Sequence, residues 1–321
     1  MELIYTDKNR KDIGVLKDYT LDLAVGSDEN NFELTVDLND HCCDVDCLIY
    51  AENTDYGGII DGLIVATKEN KLIYTGRTWQ GIIASKTIEP KVGKAYLTVS
   101  GEANQIIGEL LMVLGLTNLF TASKEDSGIT IDSYQFDRYI DAYSGISKML
   151  EVASAKLKFS FNGNKVIISV LPSVDYSEDE QFDSDLVDMD IQKMNNTVNH
   201  LICLGKGELV DRIVIHLYAD RKGNISQIRT FQGIQEITAV YDSPSEESVE
   251  ELVKHGEEKF KEYMNLNAVQ LNFSAEDDIY DVGDIVGAKE VITNTVTKER
   301  ITKKILTINQ GKVNIEYKVG E

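Results

Sequence analysis

The sequence predicts an α+β protein that is mainly β. Short runs rich in Val, Ile, Leu, Thr and Tyr dominate both ends of the 321-residue chain, and Gly, Asn and Asp bound them, as expected of strands and turns. Only the middle and one later stretch carry apolar residues at the spacing of an amphipathic helix. Because 42% of the residues are hydrophobic, the chain has enough apolar side chains for an ordinary core.

Three prolines divide the chain at nearly even intervals. Pro90, Pro172 and Pro244 each follow a run that has the pattern of one structural block, so we use them as punctuation. The character of the sequence changes close to the first two. The predicted domains are residues 1–90, 91–190 and 191–321.

The first domain is predicted to be β throughout, with no convincing helix. Several short strands at this spacing are typical of a small barrel or sandwich. Trp79, the only tryptophan, lies in the last run and is predicted to belong to the core. The predicted strands lie at 34–38, 47–52, 57–69 and 71–90, with a turn at 68–72.

The middle domain is predicted to be α+β. Apolar residues at helical spacing predict a helix over 103–114, with Gly115 as its C-terminal cap. A second helix is predicted to start near Ser144. Asn162-Gly163 between two alternating runs predicts a β-hairpin. An acidic loop is predicted at 175–185.

The last domain is predicted to be β with one inserted helix. Ser243 and Glu246 have the spacing of a capping box, and Pro244 suits the first helical position, so the helix is placed at about 245–264. A turn is predicted at 310–312.

Two seven-residue segments are weakly similar. Residues 56–62 and 281–287 each carry two glycines four positions apart around an Ile-containing pair. Such glycines permit the bends of small barrels. The similarity is compatible with a duplicated barrel and equally with chance.

The charge balance restricts the class of function. Lys and Arg number 32 and Asp and Glu number 54, which gives a net charge of −22. This excess argues against specific nucleic-acid binding, which needs basic side chains against phosphate. A solubilising surface and a surface that repels a polyanion both remain open. No apolar run approaches a membrane span, and the N-terminus lacks a signal peptide, so we expect a soluble protein in a reducing compartment.

The stretch HCCDVDC at 41–47 raises the question of a metal site. It contains Cys42, Cys43 and Cys47, and the remaining cysteine, Cys203, follows His200 by three positions. Thiolate and imidazole are good zinc ligands, but the spacing does not match a zinc knuckle. The alternation favours a half-buried strand with Cys43 and Cys47 on its inner face, where cysteine acts as a small hydrophobe.

No motif in the sequence supports catalysis. None of the cysteines opens a predicted helix, which a cysteine nucleophile usually does. His216 is predicted to be a cross-strand polar residue and His255 a solvated one. The carboxylates at 276–278, with Asp281 and Asp284, lack the calcium-loop pattern and are predicted to form a charged turn. We therefore predict no catalytic, cofactor-binding or metal-binding residue, and no cofactor.

Three segments together carry a family resemblance. The sequence over 16–36, YGGIIDG at 56–62 and YTGRTWQGIIASKTIEP at 74–90 resemble the N-terminal domain of phage tail baseplate hub proteins of the PBSX-like prophage type. Such hubs occur in contractile phage tails and phage-tail-like bacteriocins, and they are related to the N-terminal region of type VI secretion spikes. GDIVG at 283–287 and the C-terminal run from Ile301 extend the resemblance.

The resemblance implies a fold and a set of partners. It implies two related β-barrels separated by an α+β domain, with three subunits closing into a ring that adapts a six-fold tail tube to a three-fold spike. The implied partners are further copies of the chain, the tail tube, spike and tape-measure proteins, and baseplate wedge or LysM-type adaptor proteins, with no membrane partner. The protein is expected to be made in the bacterial cytoplasm and assembled into the baseplate.

The resemblance also gives the acidic charge a role, because a channel lined with carboxylates lets DNA or a tape-measure protein pass without binding.

Related hubs sometimes carry a fused peptidase or muramidase. We expect none here, because the last β segment runs to Glu321 and no matching motif precedes it. The alternatives are a tail-associated cell-wall hydrolase and a zinc-dependent binding module around residues 41–47 with His200 and Cys203. The sequence leaves open whether the particle is a phage or a bacteriocin.

Overall fold

The computed structural model divides the chain into two compact units. The first comprises Met1–Met189 with Leu271–Glu321, and the second comprises Asp190–Gln270. The three-domain division expected from the sequence stays a prediction. None of the described helices is long and apolar enough to span a membrane. The structure describes residues 1–52, 54–177, 181–183, 189–191, 198–221, 223–246, 248–264, 269–275, 278–290 and 295–320.

Strands greatly outnumber helices, which confirms the predicted α+β, mainly β class. The strands are β1 (Ile4–Thr6), β2 (Asp12–Val15), β3 (Thr20–Gly26), β4 (Asn31–Asp37), β5 (Leu48–Tyr50), β6 (Gly57–Ala66), β7 (Lys71–Thr78), β8 (Thr98–Glu102), β9 (Phe120–Ala122), β10 (Thr130–Gln135), β11 (Ala155–Phe161), β12 (Val166–Pro172), β13 (Gln181–Asp183), β14 (Met189–Ile191), β15 (His200–Leu204), β16 (Val214–Ala219), β17 (Ile225–Ser226), β18 (Thr238–Asp242), β19 (Val269–Ala275), β20 (Ile285–Glu290), β21 (Thr295–Asn309) and β22 (Lys312–Val319). The helices are α1 (Trp79–Ala84), α2 (Ala103–Val113), α3 (Ala142–Val152) and α4 (Val249–Met264).

A long curled sheet dominates the first unit. Neighbouring strands along it follow the order β19-β22-β21-β3-β4-β7-β6-β5-β1-β2. The antiparallel pairing of β21 with β3 joins strands from the two ends of the chain in this one sheet. A branch is formed by β20, which pairs with β21 and with β13.

The inner face of the long sheet carries the first core. Because successive side chains of a strand point to opposite faces, alternate residues are buried along β4, β7 and the first half of β3, whereas the last four residues of β3 are all buried. The core side chains include Leu21, Leu23, Phe32, Leu34, Leu72, Tyr74, Leu306 and Tyr317.

A second core lies among α1, α2, α3 and the three-stranded sheet of β9, β11 and β12. Both helices predicted for the middle of the chain are confirmed, with α2 ending one residue before Leu114 and α3 starting just before Ser144. Gly115 has a φ of 70°, as a C-terminal glycine should. The hairpin predicted at Asn162-Gly163 joins β11 to β12. Of the predicted acidic loop, residues 178–180 and 184–185 lie outside the described residues, whereas Gln181–Asp183 form β13.

The prediction of one strand over 71–90 is wrong at its C-terminal half. Strand β7 ends at Thr78, whose hydroxyl accepts a hydrogen bond from the amide of Gly81 at 3.2 Å and caps α1. Trp79 therefore begins a short helix. It is fully buried and stacks on Phe161 with ring centroids 5.8 Å apart, which confirms its predicted place in the core.

The second unit is a four-stranded sheet, ordered β17-β16-β15-β18, with α4 packed on it. Gly256 allows close packing, since a Cβ there would lie 2.7 Å from Cys203 Sγ. The helix begins later than predicted. Ser248 caps it by accepting from the amide of Glu251 at 3.2 Å, whereas Ser243 and Glu246 form the turn before it.

Candidate functional site: the exposed face of the long sheet

The exposed face of the long sheet is polar where its inner face is apolar. One row of side chains crosses four strands on this exposed face. Thr307 is paired with Asp22, Asp22 with Glu33, and Glu33 with Thr75. We call these strands and their outward side chains the exposed face. It follows from the alternation in LDLAV and FELTV, which places a carboxylate between apolar residues on each strand.

Asp22 and Glu33 are a like-charge pair in directly opposed positions. Both side chains are exposed, and within the described part of the chain neither forms an ion pair. Like charges opposite each other on neighbouring strands destabilise a sheet. The arrangement therefore costs stability and concentrates negative potential at one place.

The nearby positive charge is already neutralised. Arg77 donates two hydrogen bonds of 2.7 Å to the two carboxylate oxygens of Asp61, and the bond with Asp61 raises the pKa of the guanidinium despite partial burial. The sheet register shifts between Ile60 and Gly62, and this bulge places Asp61 beside Arg77. Arg77 is consequently not available to offset Asp22 and Glu33.

These side chains border a shallow depression of about 520 Å³. Four carboxylates and one guanidinium line it, and the carboxylate of Glu29 pairs with Lys303. The surplus charge on this part of the exposed face is therefore negative, which disfavours binding to phosphate groups. The lining residues are Asp22, Glu29, Asn31, Phe32, Glu33, Asp61, Thr75, Gly76 and Arg77.

Behind the exposed face, a buried ion cluster is centred on Lys304. Its side chain is fully buried and contacts the carboxylate of Asp278, with Asp55 and Asp281 oxygens each 3.8 Å away. The ammonium also lies 5.0 Å from the ring centroid of Tyr56, within cation–π range. Such a charge is tolerated inside a protein only because it is paired.

A second part of the cluster joins β11 to the turn before β20. Lys156 Nζ contacts carboxylate oxygens of Asp281 at 2.8 Å and Asp284 at 2.7 Å, and Lys158 Nζ contacts Asp281 at 2.7 Å. Burial opposes the charge on Lys156, but the hydrogen bonds that its ammonium donates to Asp281 and Asp284 outweigh this effect and raise the pKa of the ammonium. Asp284 also accepts from the amide of Val174 at 2.8 Å. These bonds fix the turn to the strand.

Sequence reasoning predicted only a charged turn at 276–284 and missed this cluster. Residues 276 and 277 lie outside the described residues. The sequence does contain a signal for the cluster, because lysines occupy positions in two strands where apolar residues alternate. These are Lys156 in AKLKFSF and Lys304 in TKKILTI. A lysine at an inward position needs a buried carboxylate partner, and the acidic turn supplies it.

The cysteine stretch lies in an irregular loop between β4 and β5, so the prediction of a strand is wrong. The predicted burial is nevertheless observed, since Cys43 and Cys47 are buried in the first core and Cys42 is partly exposed. The amides of Cys42 and Cys43 both donate to the hydroxyl of Tyr74 at 3.4 Å, which holds the loop out of strand pairing. Among the described residues, no group of three or more His, Cys, Asp or Glu side chains is placed to hold a metal ion.

The remaining residues considered for chemistry lie in the second unit. Cys203 is buried behind α4, and burial raises the pKa of its thiol to about 11. His200 Nε2 lies 2.8 Å from His216 Nδ1 across β15 and β16, as predicted for a cross-strand polar residue. His255 is less solvated than predicted, because its Nδ1 lies 2.6 Å from a carboxylate oxygen of Glu246.

A cavity of about 350 Å³ lies beside α3 and β11 in the first unit. Lys156 and Asp281 line it, but they are paired with each other and are not positioned as a free base and acid. The apolar part of its lining includes Leu150, Leu157, Phe159, Val282 and Ile301.

Comparison with solved structures finds the same fold in phage tail proteins. No protein-family model and no curated protein matches the sequence. The 43 kDa tail protein of prophage MuSo2 from Shewanella oneidensis has a TM-score of 0.60 at 9% identity, covering 99% of this chain and 98% of that one. A tail protein from Neisseria meningitidis MC58 has a TM-score of 0.57 at 10% identity, covering 100% and 96%.

A prophage tail protein from Listeria monocytogenes EGD-e is also similar, with a TM-score of 0.53 at 12% identity, covering 99% of this chain and 94% of that one. These likenesses extend over essentially the whole of each chain, so both compact units are included. The resemblance to phage tail proteins expected from the sequence is confirmed at the level of the fold.

Proposed function

We propose that this protein is a structural baseplate hub of a contractile phage tail or a phage-tail-like bacteriocin. In this role it forms a homotrimeric ring that adapts the six-fold tail tube to the three-fold spike. The observation that carries the proposal is the agreement in fold, over nearly the whole chain, with three tail proteins from different bacteria. The PBSX-like motifs at 56–62 and 74–90 give independent support from the sequence.

The exposed face supports a position next to the channel. A channel wall that meets DNA or a tape-measure protein must avoid binding phosphate, and directly opposed carboxylates at Asp22 and Glu33 have that property. The two carboxylates destabilise the sheet, and a function in keeping the channel free of bound phosphate would explain why both are present. The net charge of the whole chain, −22, has the same sign as the charge proposed for the channel wall.

The symmetry argument follows from the resemblance. Two related β elements in each subunit, repeated three times in a ring, present six similar elements to the tube above and three subunits to the spike below. The proposed partners are further copies of this chain, the tail tube protein, the spike protein, the tape-measure protein, and baseplate wedge or LysM-type adaptor proteins. The protein would be made in the bacterial cytoplasm and then assembled into the baseplate.

We propose no catalytic role. Lys156 and Asp281 in the cavity form an ion pair with each other, and the thiol of Cys203 is buried. Neither arrangement presents an activated nucleophile with a general base. Incubation of the purified protein with peptidoglycan should release no soluble fragments, and release that survives repurification would favour the hydrolase.

The oligomeric state is the direct test of the hub. Light scattering across a range of protein concentrations should give a mass near three times 35.9 kDa, or, when the spike protein is added, a shift to that mass plus the mass of the bound spike. Image averages of the same sample should show a ring with an open centre. A monomer in both conditions would contradict the proposed trimer, and a ring whose channel is lined by another face would contradict the role of Asp22 and Glu33.

A further inference from the structure

The loop before β5 contains two adjacent thiols in contact. Cys42 Sγ and Cys43 Sγ are 3.5 Å apart. Cys42 is partly exposed, whereas Cys43 is 3% exposed and packs in the first core. Cys42 is thus the more accessible of the two residues, and Cys43 is shielded from solvent by the core. The proposed hub function uses neither thiol.

The two thiols differ in acidity. A hydrogen bond from the Cys43 thiol lowers the pKa of Cys42, and Tyr74 contributes in the same direction. The same bond, together with burial, raises the pKa of Cys43. The attacking group in thiol–disulfide exchange is a thiolate, so Cys42 is the sulfur that reacts first.

We propose that Cys42 and Cys43 form a redox-active vicinal dithiol, which a small disulfide such as oxidised glutathione converts reversibly into a Cys42–Cys43 disulfide. In the first step, the Cys42 thiolate attacks one sulfur of oxidised glutathione, forms a mixed disulfide and releases one glutathione thiolate. That thiolate takes the proton of Cys43. The Cys43 thiolate then attacks Cys42 Sγ and displaces the second glutathione, which takes a proton from water. The dithiol is oxidised by two electrons, and one oxidised glutathione becomes two reduced molecules.

The pairing of strands does not constrain the backbone at the two cysteines. Residues 41–44 belong to no strand or helix. The sulfurs must approach from 3.5 Å to about 2.05 Å. Adjacent Cα atoms lie about 3.8 Å apart, closer than the usual separation of about 4.4–6.8 Å in disulfides. The bond is therefore strained and readily reduced again.

A Cys42–Cys43 disulfide is better suited to reversible redox chemistry than to stabilising the fold. A disulfide stabilises a fold mainly by closing a long loop in the unfolded chain, and this one closes only two neighbouring residues. Its effect is local, because it joins partly exposed Cys42 to buried Cys43 beside Tyr74. The pair of thiols would therefore be oxidised when the solution changes from reducing to oxidising, with little effect on the stability of the fold.

The proposal is tested on the full-length protein by titration with mixtures of reduced and oxidised glutathione. After alkylation of the remaining thiols, mass spectrometry should show a loss of two hydrogens and a peptide with Cys42 linked to Cys43, reversed by dithiothreitol. Cys43→Ala should retain one glutathione on Cys42, and Cys42→Ser should acquire neither modification. The matched control Cys203→Ser should behave as the unsubstituted protein does.

Three results would overturn the proposal: retention of all four thiols in the folded protein, a stable glutathione adduct on the unsubstituted chain, or a link that involves Cys47. A second measurement does not depend on the folding of any variant. Phenylarsine oxide condenses with two neighbouring thiols and releases water, so the reduced protein should bind one equivalent and the oxidised protein none. Absence of binding to the reduced protein would also contradict the dithiol.

Discussion

Asp22 and Glu33 face each other on neighbouring antiparallel strands, β3 and β4, with both carboxylates exposed to solvent. Replacing either charge by the neutral amide, in Asp22→Asn or Glu33→Gln, should raise the free energy of unfolding by about 0.2–1 kcal/mol, because like charges in this position repel. Urea denaturation at low ionic strength measures the change.

The double substitution provides the control for this pair. Once one charge is removed, the second substitution should add little, since the two effects share one repulsion. The gain should also shrink as salt is added, because exposed charges are screened. Two fully additive, salt-independent effects would show that the carboxylates do not interact.

The buried charge of Lys304 gives a second prediction. Lys304→Met removes the only ammonium found, among the described residues, in contact with Asp278, and it takes a neutralising charge away from the buried carboxylate of Asp55, 3.8 Å from the ammonium. We expect a loss of about 3–5 kcal/mol in the free energy of unfolding, as for other broken buried pairs.

Lys158→Met is the matched control for Lys304→Met. Lys158 also contacts an aspartate of the cluster, but its side chain is 38% exposed, so its removal should cost far less. Equal costs for the two substitutions, measured by denaturant unfolding, would contradict the importance of burial.

Gly76 gives a third prediction, which concerns close approach between β7, β6 and the first core. A Cβ at this position would lie 2.0 Å from the carbonyl oxygen of Ile59 and 2.6 Å from the ring of Phe32. Gly76→Ala should therefore lower the melting temperature or prevent folding, because backbone and a buried ring must both shift.

Gly108→Ala is the opposite case and serves as the control. Gly108 lies inside α2, and a Cβ there would meet only the Cβ of Ala122 at an ordinary 3.6 Å. Alanine is favoured over glycine in a helix, so this substitution should stabilise the protein by about 0.5–1 kcal/mol. Destabilisation by Gly108→Ala would show that α2 packs too tightly on Ala122 to accept a methyl group.

The stability of the second unit should depend on pH through His200. Burial, with the nearby His216 and Arg229, lowers the pKa of His200 below its usual 6.5, against the opposing effect of Glu236. Between the folded and unfolded pKa values the unfolded chain binds more protons, so the free energy of unfolding falls as the pH drops below 6.5. Hydrogen exchange of β15 amides from pH 8 to pH 5 measures this.

His216→Gln supplies the comparison for His200. It removes one of the groups that oppose protonation of His200, so the pH dependence of β15 exchange protection should become weaker. A protection factor that stays constant from pH 8 to pH 5 in the unsubstituted chain would refute the prediction.

Local signals in the sequence were sufficient wherever structure depends on neighbours in the chain. The helices α2 and α3 and the hairpin after Phe161 were predicted because helical spacing and Asn162-Gly163 act within a few residues. Where a local pattern was compatible with two structures, the prediction was wrong. Thr78 ended a strand by capping α1, and Tyr74 held Cys42 and Cys43 in a loop although their alternation is that of a strand.

The sequence by itself determined the mainly β class, the acidic charge, the resemblance to phage tail proteins and the presence of adjacent cysteines. Only the tertiary structure decided which strands meet, because pairing of β3 with β21 joins residues nearly three hundred positions apart. That pairing and the pairing of β3 with β4 create the row through Asp22 and Glu33. The partners of Lys304 likewise lie far from it in the sequence, and no pattern of neighbours specifies which carboxylate an inward lysine will find.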